Sequence, residues 1–504
     1  MKVSTTPVRR ARLRPARRSH AVRRLSGPVV IIAALALSTG MSPASAHDPL
    51  FGVQPSSVSE ALAPGASLDV VKTVHTPAIL PTPDIYFLAD STASMGAVIG
   101  NVQGAAGSVL TTIEGLANDP RFGAGDYKDF QSPAQVDPYA FNNAAPIPAA
   151  DDGGVAALAA IAAWSASGGV DIPESQFFAL HRLAAHGDAG FRAGATPIVV
   201  WFGDAPAHDP VCDEISGDVG HDVTEASLTA ELVNAEIRVI AISTVTGSAA
   251  ALDGDPTAFA GDYVAACGTE GGTSGQATRI AAATEGVHLT DVEPEDIADA
   301  ILDGLGALPV SVDPVPTCDA GLSVSFAPPG QIVTSGDDAV FTETITAAPS
   351  APQGSTLACT VDFLVDGQLL DGFTQEIEID ILDVTPPQLS CTETTNPAGK
   401  KVPPAGGTPG HQNPDGFYLL SASDNVDENL EIFLIDDVSG TVFGPFEDGT
   451  RIKLVQAPGA TPHIQPGAGV IDWKIRIQGD ATLSVTDAAG NLTEVSCLVP
   501  PPPA

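Results

Sequence analysis

Residues 90–94 read Asp90-Ser91-Thr92-Ala93-Ser94, directly after the apolar run DIYFLA. Alternate positions in a turn aim their side chains the same way, so Asp90, Thr92 and Ser94 can offer three oxygens to one pocket. Such a set suits a hard divalent cation, which takes oxygen ligands and tolerates waters in its shell. Neutral hydroxyls beside a single carboxylate leave the cation electrophilic, and an outside carboxylate can then complete the shell. Read alone, the pattern is an ordinary helix start, because Ser and Thr are common N-caps. Two further stretches favour the cation. One is Asp171-Ile172-Pro173-Glu174 ahead of a helical pattern, and the other is Asp204 closing PIVVWFGD.

These residues need elements to hold them. DIYFLAD (84–90), RFGAGDYKDF (121–130), PIVVWFGD (197–204) and RVIAIST (238–244) read as strands. Three of the four are nearly continuous hydrophobes, the pattern of strands covered on both faces. Helical patterns separate them: a helix starting near Ser94, then 155–164, 175–185, 224–236, 276–286 and 293–308. In the last, Ile297, Ile301, Leu305 and Leu308 share one face. The β-α-β-α order predicts an α/β, doubly wound, mostly parallel Rossmann-like sheet over 83–308. Ligands of such sheets bind beyond the carboxyl ends of the strands, where Asp90 and Asp204 both fall.

Beyond 309 the helical periodicity stops. Alternating runs such as DAVFTETITAAP and FTQEIEIDILDV predict an all-β sandwich over 309–387. A second sandwich is expected over 388–504, ending in a Pro-rich tail. The segment 47–82 contains ASLDVVKTVHTP, strand-like but too short for a domain. It is read as the first strand of the 309–387 sandwich, with the α/β domain inserted after it.

A chain of 504 residues exceeds one core. Residues 1–27 hold nine Lys/Arg and no acid, an apolar run follows at 28–38, and Ala44-Ser45-Ala46 resembles a cleavage site. Residues 1–46 therefore read as a signal peptide. Arg23-Arg24 suggests a twin-arginine signal, but the residues that follow fit ordinary export better. Removal leaves 13 basic residues against 61 acidic ones, a net charge of about −48. Phosphate repulsion then argues against a nucleic-acid partner. No later run is apolar enough to span a membrane. The expectation is a secreted, extracellular or cell-surface protein. Six cysteines in an exported chain suggest disulfides, paired by spacing as Cys212–Cys267, Cys318–Cys359 and Cys391–Cys497. Fifteen pairings are formally open.

Catalytic signatures are missing. There is no G-x-S-x-G and no H-E-x-x-H, and GTEGGTSG lacks the lysine of a phosphate loop. His208, Asp209, Cys212, Asp213, Asp218 and His221 crowd one loop, readable as a zinc site but better as a disulfide-tethered acidic loop. Asp424, Asp427 and Glu428 form either a calcium loop or, preferably, a polar turn. His181 and His186 are five apart, poor spacing for a shared helical face.

The Asp90-x-Thr92-x-Ser94 pattern, the D-x-P-E turn at 171–174 and the strand-terminal Asp204 together resemble the metal-ion-dependent adhesion site of von Willebrand factor A domains. The D-x-P-E turn and RFGAGDYKDF are most similar to the I-like domain of integrin β subunits. The resemblance implies Mg²⁺, or Mn²⁺ or Ca²⁺, held by Thr92, Ser94 and Glu174, with Asp90 and Asp204 acting directly or through water. It implies a protein or matrix ligand bearing an exposed carboxylate. A flanking second metal is implied at Asp171, the Pro173 carbonyl and Glu174, with Asp126 or Asp129 replacing the family's Asn, whose place Gly169 takes. The adjacent calcium site of integrins is expected to be absent, since Gly96-Ala97-Val98 lack its acids. The 388–499 region more loosely resembles bacterial immunoglobulin-like, hyalin-type repeats in DVTPPQLSC, SASDN and VTDAAGN. The expected function is non-enzymatic adhesion or ligand binding through a cation. A structural matrix protein with a stabilising metal, and a metal-dependent hydrolase, are the alternatives.

Overall fold

A computed structural model describes residues 52–130, 139–169, 172–216, 222–246, 250–258, 267–268, 270–394 and 416–499. Residues 1–46, read as a signal segment, and Asp171, Asp218, His221 and the Pro-rich tail lie outside these residues.

The α/β domain is built on one six-stranded sheet. Its strands are β1 (Pro83–Asp90), β2 (Arg121–Tyr127), β3 (Phe141–Ala145), β4 (Thr196–Gly203), β5 (Arg238–Thr244) and β6 (Val287–Val292). The spatial order is β3-β2-β1-β4-β5-β6. All neighbours are parallel except the edge pair β2–β3, which is antiparallel. The helices of eight residues or more among the described residues are α1 (Gly96–Leu116), α2 (Val155–Ala163), α3 (Gln176–Ala184), α4 (Glu225–Asn234), α5 (Gln276–Ala283) and α6 (Ile297–Gly306).

The strand pleat divides the apolar runs between two cores. Ile85, Phe87 and Ala89 of β1, with Ile198, Val200 and Phe202 of β4, pack with α1, α2 and α6. Tyr86 and Leu88, with Val199 and Trp201, face α3, α4 and α5. Burial on both faces explains why these runs are apolar throughout. β1 sits centrally, so its end opens beside the ends of β2 and β4.

The remaining described residues are β-rich, in four sheets. Gly52–Gln54, Ser67–His75, Asp338–Ala347 and Leu322–Ala327 form one. Its partner sheet holds Gln331–Thr334, Pro309–Cys318, Thr356–Val365, Gln368–Ile381 and Ser57–Leu62. Alternating burial in Asp338–Ala347 and Thr356–Val365 turns one side of each inward. Phe341 and Phe326 of one sheet meet Phe363 of the other, with ring centroids 6.0 and 5.6 Å away. Ser67–His75 runs antiparallel to Asp338–Ala347, and Ser57–Leu62 parallel to Gln368–Ile381. The chain thus leaves this unit at His75, builds the α/β domain and re-enters at Pro309. Residues 388–499 form the other two sheets around Leu420, Leu434, Ile475 and Leu483. Disulfides Cys212–Cys267, Cys318–Cys359 and Cys391–Cys497 are closed, the pairing that the spacing suggested. Among the described residues no helix is long and apolar enough to cross a membrane.

Candidate metal centre

β1 delivers Asp90 to the carboxyl edge of the sheet, where it is fully buried. Its Oδ1 accepts the Thr92 backbone N–H at 2.8 Å and the Thr92 hydroxyl at 2.7 Å. Its Oδ2 is buried and accepts no hydrogen bond of good geometry, although the Asp204 backbone N–H lies close enough to favour the charged carboxylate. A buried carboxylate oxygen left without a partner is expensive.

The hydroxyls do not cap the helix. Thr92 precedes the 3₁₀ turn Ala93–Met95, and Met95 precedes α1, yet neither makes a side-chain cap. Thr92 donates to Asp90 instead, and Ser94 donates to Asp204 Oδ1 at 3.1 Å. The two hydroxyl oxygens stand 3.2 Å apart. Each hydroxyl has a carboxylate to donate to, which leaves its lone pairs available to a cation. That arrangement gains most from a cation between them.

Asp204 follows β4 and is buried. Its Oδ2 accepts the Thr246 hydroxyl at 2.8 Å. Thr246 comes two residues after β5 and is absent from the motif-based reading. Burial, then the neighbouring Asp204 carboxylate, push the Asp90 pKa up to about 7. Burial also raises that of Asp204.

Glu174 reaches the same pocket by backbone pairing. Its N–H donates to Pro206 O at 2.9 Å and its carbonyl accepts the His208 N–H at 3.1 Å. Gly169, at φ +68°, separates its side chain from Thr92. A Cβ there would lie 2.6 Å from Thr92 Cβ and 2.9 Å from Glu174 Oε1. Asp90, Thr92, Ser94, Asp204 and Glu174 are therefore brought together, and their all-oxygen donor set fits a hard cation.

The flanking site fares differently. Asp171 lies outside the described residues, and Pro173 is buried beside Glu174. Asp126 accepts Ser91 Oγ at 2.6 Å, Tyr139 OH at 2.5 Å and Asn142 Nδ2 at 3.0 Å. Asp129 accepts the Phe130 N–H at 2.7 Å and pairs with His208 Nε2 at 3.1 Å. Both carboxylates are thus committed to anchoring β2 and its exit loop.

His208 is buried between Asp129 and Glu270, whose Oε2 lies 2.9 Å from its Nδ1. Burial alone would lower its pKa, but hydrogen bonds and charge from Asp129 and Glu270 raise it to about 9. With both ring nitrogens engaged and Cys212 in a disulfide, the loop offers no zinc set among the described residues. Lys128, also buried, donates to the carbonyls of Ser91, Ser165 (2.9 Å) and Ser167 (2.8 Å). It buckles the β1–α1 turn to the loop carrying Gly169. His181 and His186 do meet, edge to face at 5.0 Å, because His186 lies beyond the end of α3.

No family model and no curated protein matches the chain. Among solved structures, a von Willebrand factor type A protein from Catenulispora acidiphila is similar at 11% identity, covering 64% of this chain and 72% of its own, with a TM-score of 0.32. Proximal thread matrix protein 1 from the mussel byssus matches at 12% identity over 48% of this chain and 47% of its own, TM-score 0.29. The ArnB paralog from Sulfolobus acidocaldarius matches at 9% over 63% and 71%, TM-score 0.27.

Proposed function

We propose that the chain is an exported adhesion or ligand-binding protein of von Willebrand A type, without catalytic activity. It would take a carboxylate-bearing protein or matrix partner through one divalent cation, Mg²⁺ first. The observation that carries this reading is the unpartnered Asp90 Oδ2 beside two hydroxyls that each have a carboxylate acceptor. Thr92, Ser94 and Glu174 would hold the cation, while Asp90 and Asp204 orient those hydroxyls and any bound water. The cation supplies Lewis acidity toward an incoming carboxylate. Gly96, Ala97 and Val98 open α1 without an acid, so we read a single-cation site, not an integrin-like chain of metals. The two β units, of immunoglobulin-like kind in this reading, serve as spacer.

The test is Mg²⁺ titration calorimetry on the parent and Asp90→Ala, followed by binding to immobilised Asp- and Glu-bearing peptides in Mg²⁺ or EDTA. Binding that ignores both the chelator and the substitution refutes the proposal. Mg²⁺ that raises the melting temperature while no acidic surface is bound would favour the matrix-protein alternative.

A further inference from the structure

The chain passes from the first β unit to the second through residues 382–387, and Asp383 opens that passage. Two loops of the second unit come to meet it. One follows Phe417–Ser423 and carries Asp424, and the other follows Ala481–Thr486 and carries Asp487. One ligand oxygen from each of the three lies within 4.8 Å of the others. Oxygens held about 2.4 Å from a calcium ion can be at most about 4.8 Å apart. Each pair of the three thus meets the spacing that a shared ion requires.

Each linker or loop carboxylate spends one oxygen on its own backbone. Asp383 Oδ1 accepts the Thr385 N–H at 3.1 Å. Asp424 Oδ1 accepts the N–H groups of Val426 at 2.9 Å and Asp427 at 3.1 Å. Their other oxygens, Asp383 Oδ2 and Asp424 Oδ2, are both buried and accept no hydrogen bond. Asp487 is 6% exposed and accepts Asn491 N–H at 2.7 Å and Nδ2–H at 2.9 Å. No Lys, Arg or His forms an ion pair with any of the three among the described residues. A plain polar turn would leave the second oxygens to water. Here two oxygens are shielded from it and have no partner, while burial of Asp424 is outweighed by the backbone N–H groups of Val426, Asp427 and Asn425, which hold its carboxyl charged, below the usual pKa.

The surrounding contacts hold the three in place. Asn491 Nδ2 also donates to Asp383 O at 3.2 Å, and Asp427 Oδ2 accepts the Ala488 N–H at 2.6 Å. Gln353 of the first unit accepts the Val384 N–H at 2.8 Å and donates to Thr385 Oγ1 at 2.8 Å. We propose that Asp383, Asp424 and Asp487 form a Ca²⁺ site that fixes the second β unit on the first. Irregular loops with all-oxygen ligands suit calcium better than magnesium, which demands near-octahedral geometry. The sequence pointed to Asp424, Asp427 and Glu428. Of these only Asp424 belongs to the cluster, since Asp427 ties one loop to the other and Glu428 is exposed.

The test uses the mature chain carrying Asp90→Ala, so that the first centre is silent. Calcium is titrated by calorimetry into this protein and into the same protein with Asp383→Asn and Asp424→Asn. The parent variant should bind one Ca²⁺, and the two amides should weaken it at least about ten-fold, as the ligand charge falls. Equal binding by both, or no calcium binding by the Asp90→Ala protein, overturns the proposal. Melting in EDTA separates ligation from loop capping. Adding Ca²⁺ should then raise the melting temperature of the parent variant and not that of the amide variant, whereas an equal rise in both would overturn it.

Discussion

Removing the cation from the first centre should leave a measurable electrostatic penalty, and Asp90→Asn should lift it. Asp90 is wholly buried, and burial together with Asp204 moves its pKa from 3.8 up to about 7. The folded chain thus holds this proton more tightly than the unfolded chain. Its contribution to stability is full below 3.8 and is lost as pH rises through about 7. Roughly three pKa units correspond to about 4 kcal/mol at pH 8. In a domain of this size that is a melting shift on the order of 10 °C. The assay is thermal melting in EDTA from pH 4.5 to 8.5, parent against Asp90→Asn. The amide keeps an acceptor for Thr92 and offers an N–H where Oδ2 now has no partner. The variant should gain on the parent as pH rises, then lose its advantage when Mg²⁺ is added, since the parent alone regains a counter-charge. Parallel curves in EDTA would show that Asp90 carries no strained charge, and the reasoning behind the centre would fail.

Gly169→Ala places a Cβ 2.6 Å from Thr92 Cβ at φ +68°. It should cost about 1–2 kcal/mol of stability and abolish Mg²⁺ heat in calorimetry; unchanged binding would mean Thr92 and Glu174 do not share a ligand. His208 has a raised pKa, so its stabilising charge is full below 6.5 and is lost as pH rises through about 9. Urea unfolding should show up to roughly 3 kcal/mol lost between pH 7 and 10, and His208→Gln should lack that slope. Residues 309–387 expressed alone should stay unfolded by circular dichroism, because Ser67–His75 is an interior strand of their sheet. Joining 52–75 to them through a short linker should restore cooperative melting.

The strands that the sequence displayed most clearly, β1, β4 and β5, are those buried on both faces, where nothing polar interrupts the run. β3 and β6 escaped notice because they are edge strands. FNNAA and VHLTDV keep polar residues toward water and have a neighbour on one side only. RFGAGDYKDF read as strand to its end, but β2 stops at Tyr127, where Lys128 turns inward to the carbonyls of Ser91, Ser165 and Ser167. A buried lysine in so acidic a chain was the available clue, and it gains meaning only when its three carbonyl partners are near. Thr246 was equally hidden, 42 residues from the Asp204 that it contacts. Its only signal was a run of hydroxyls, Ser243, Thr244 and Thr246, at the end of a strand parallel to β4. The choice between helix cap and cation pocket turns on which acceptors the hydroxyls find, which spacing does not encode. Thr92 donates backward to Asp90 and Ser94 across the sheet to Asp204, so neither hydroxyl serves the helix that follows. The residue types are those of an ordinary N-cap. What separates the two readings is the β1–β4 register, which pairs Ala89 with Phe202 and so brings Asp204, one residue past the level of Asp90, to the same end of the sheet.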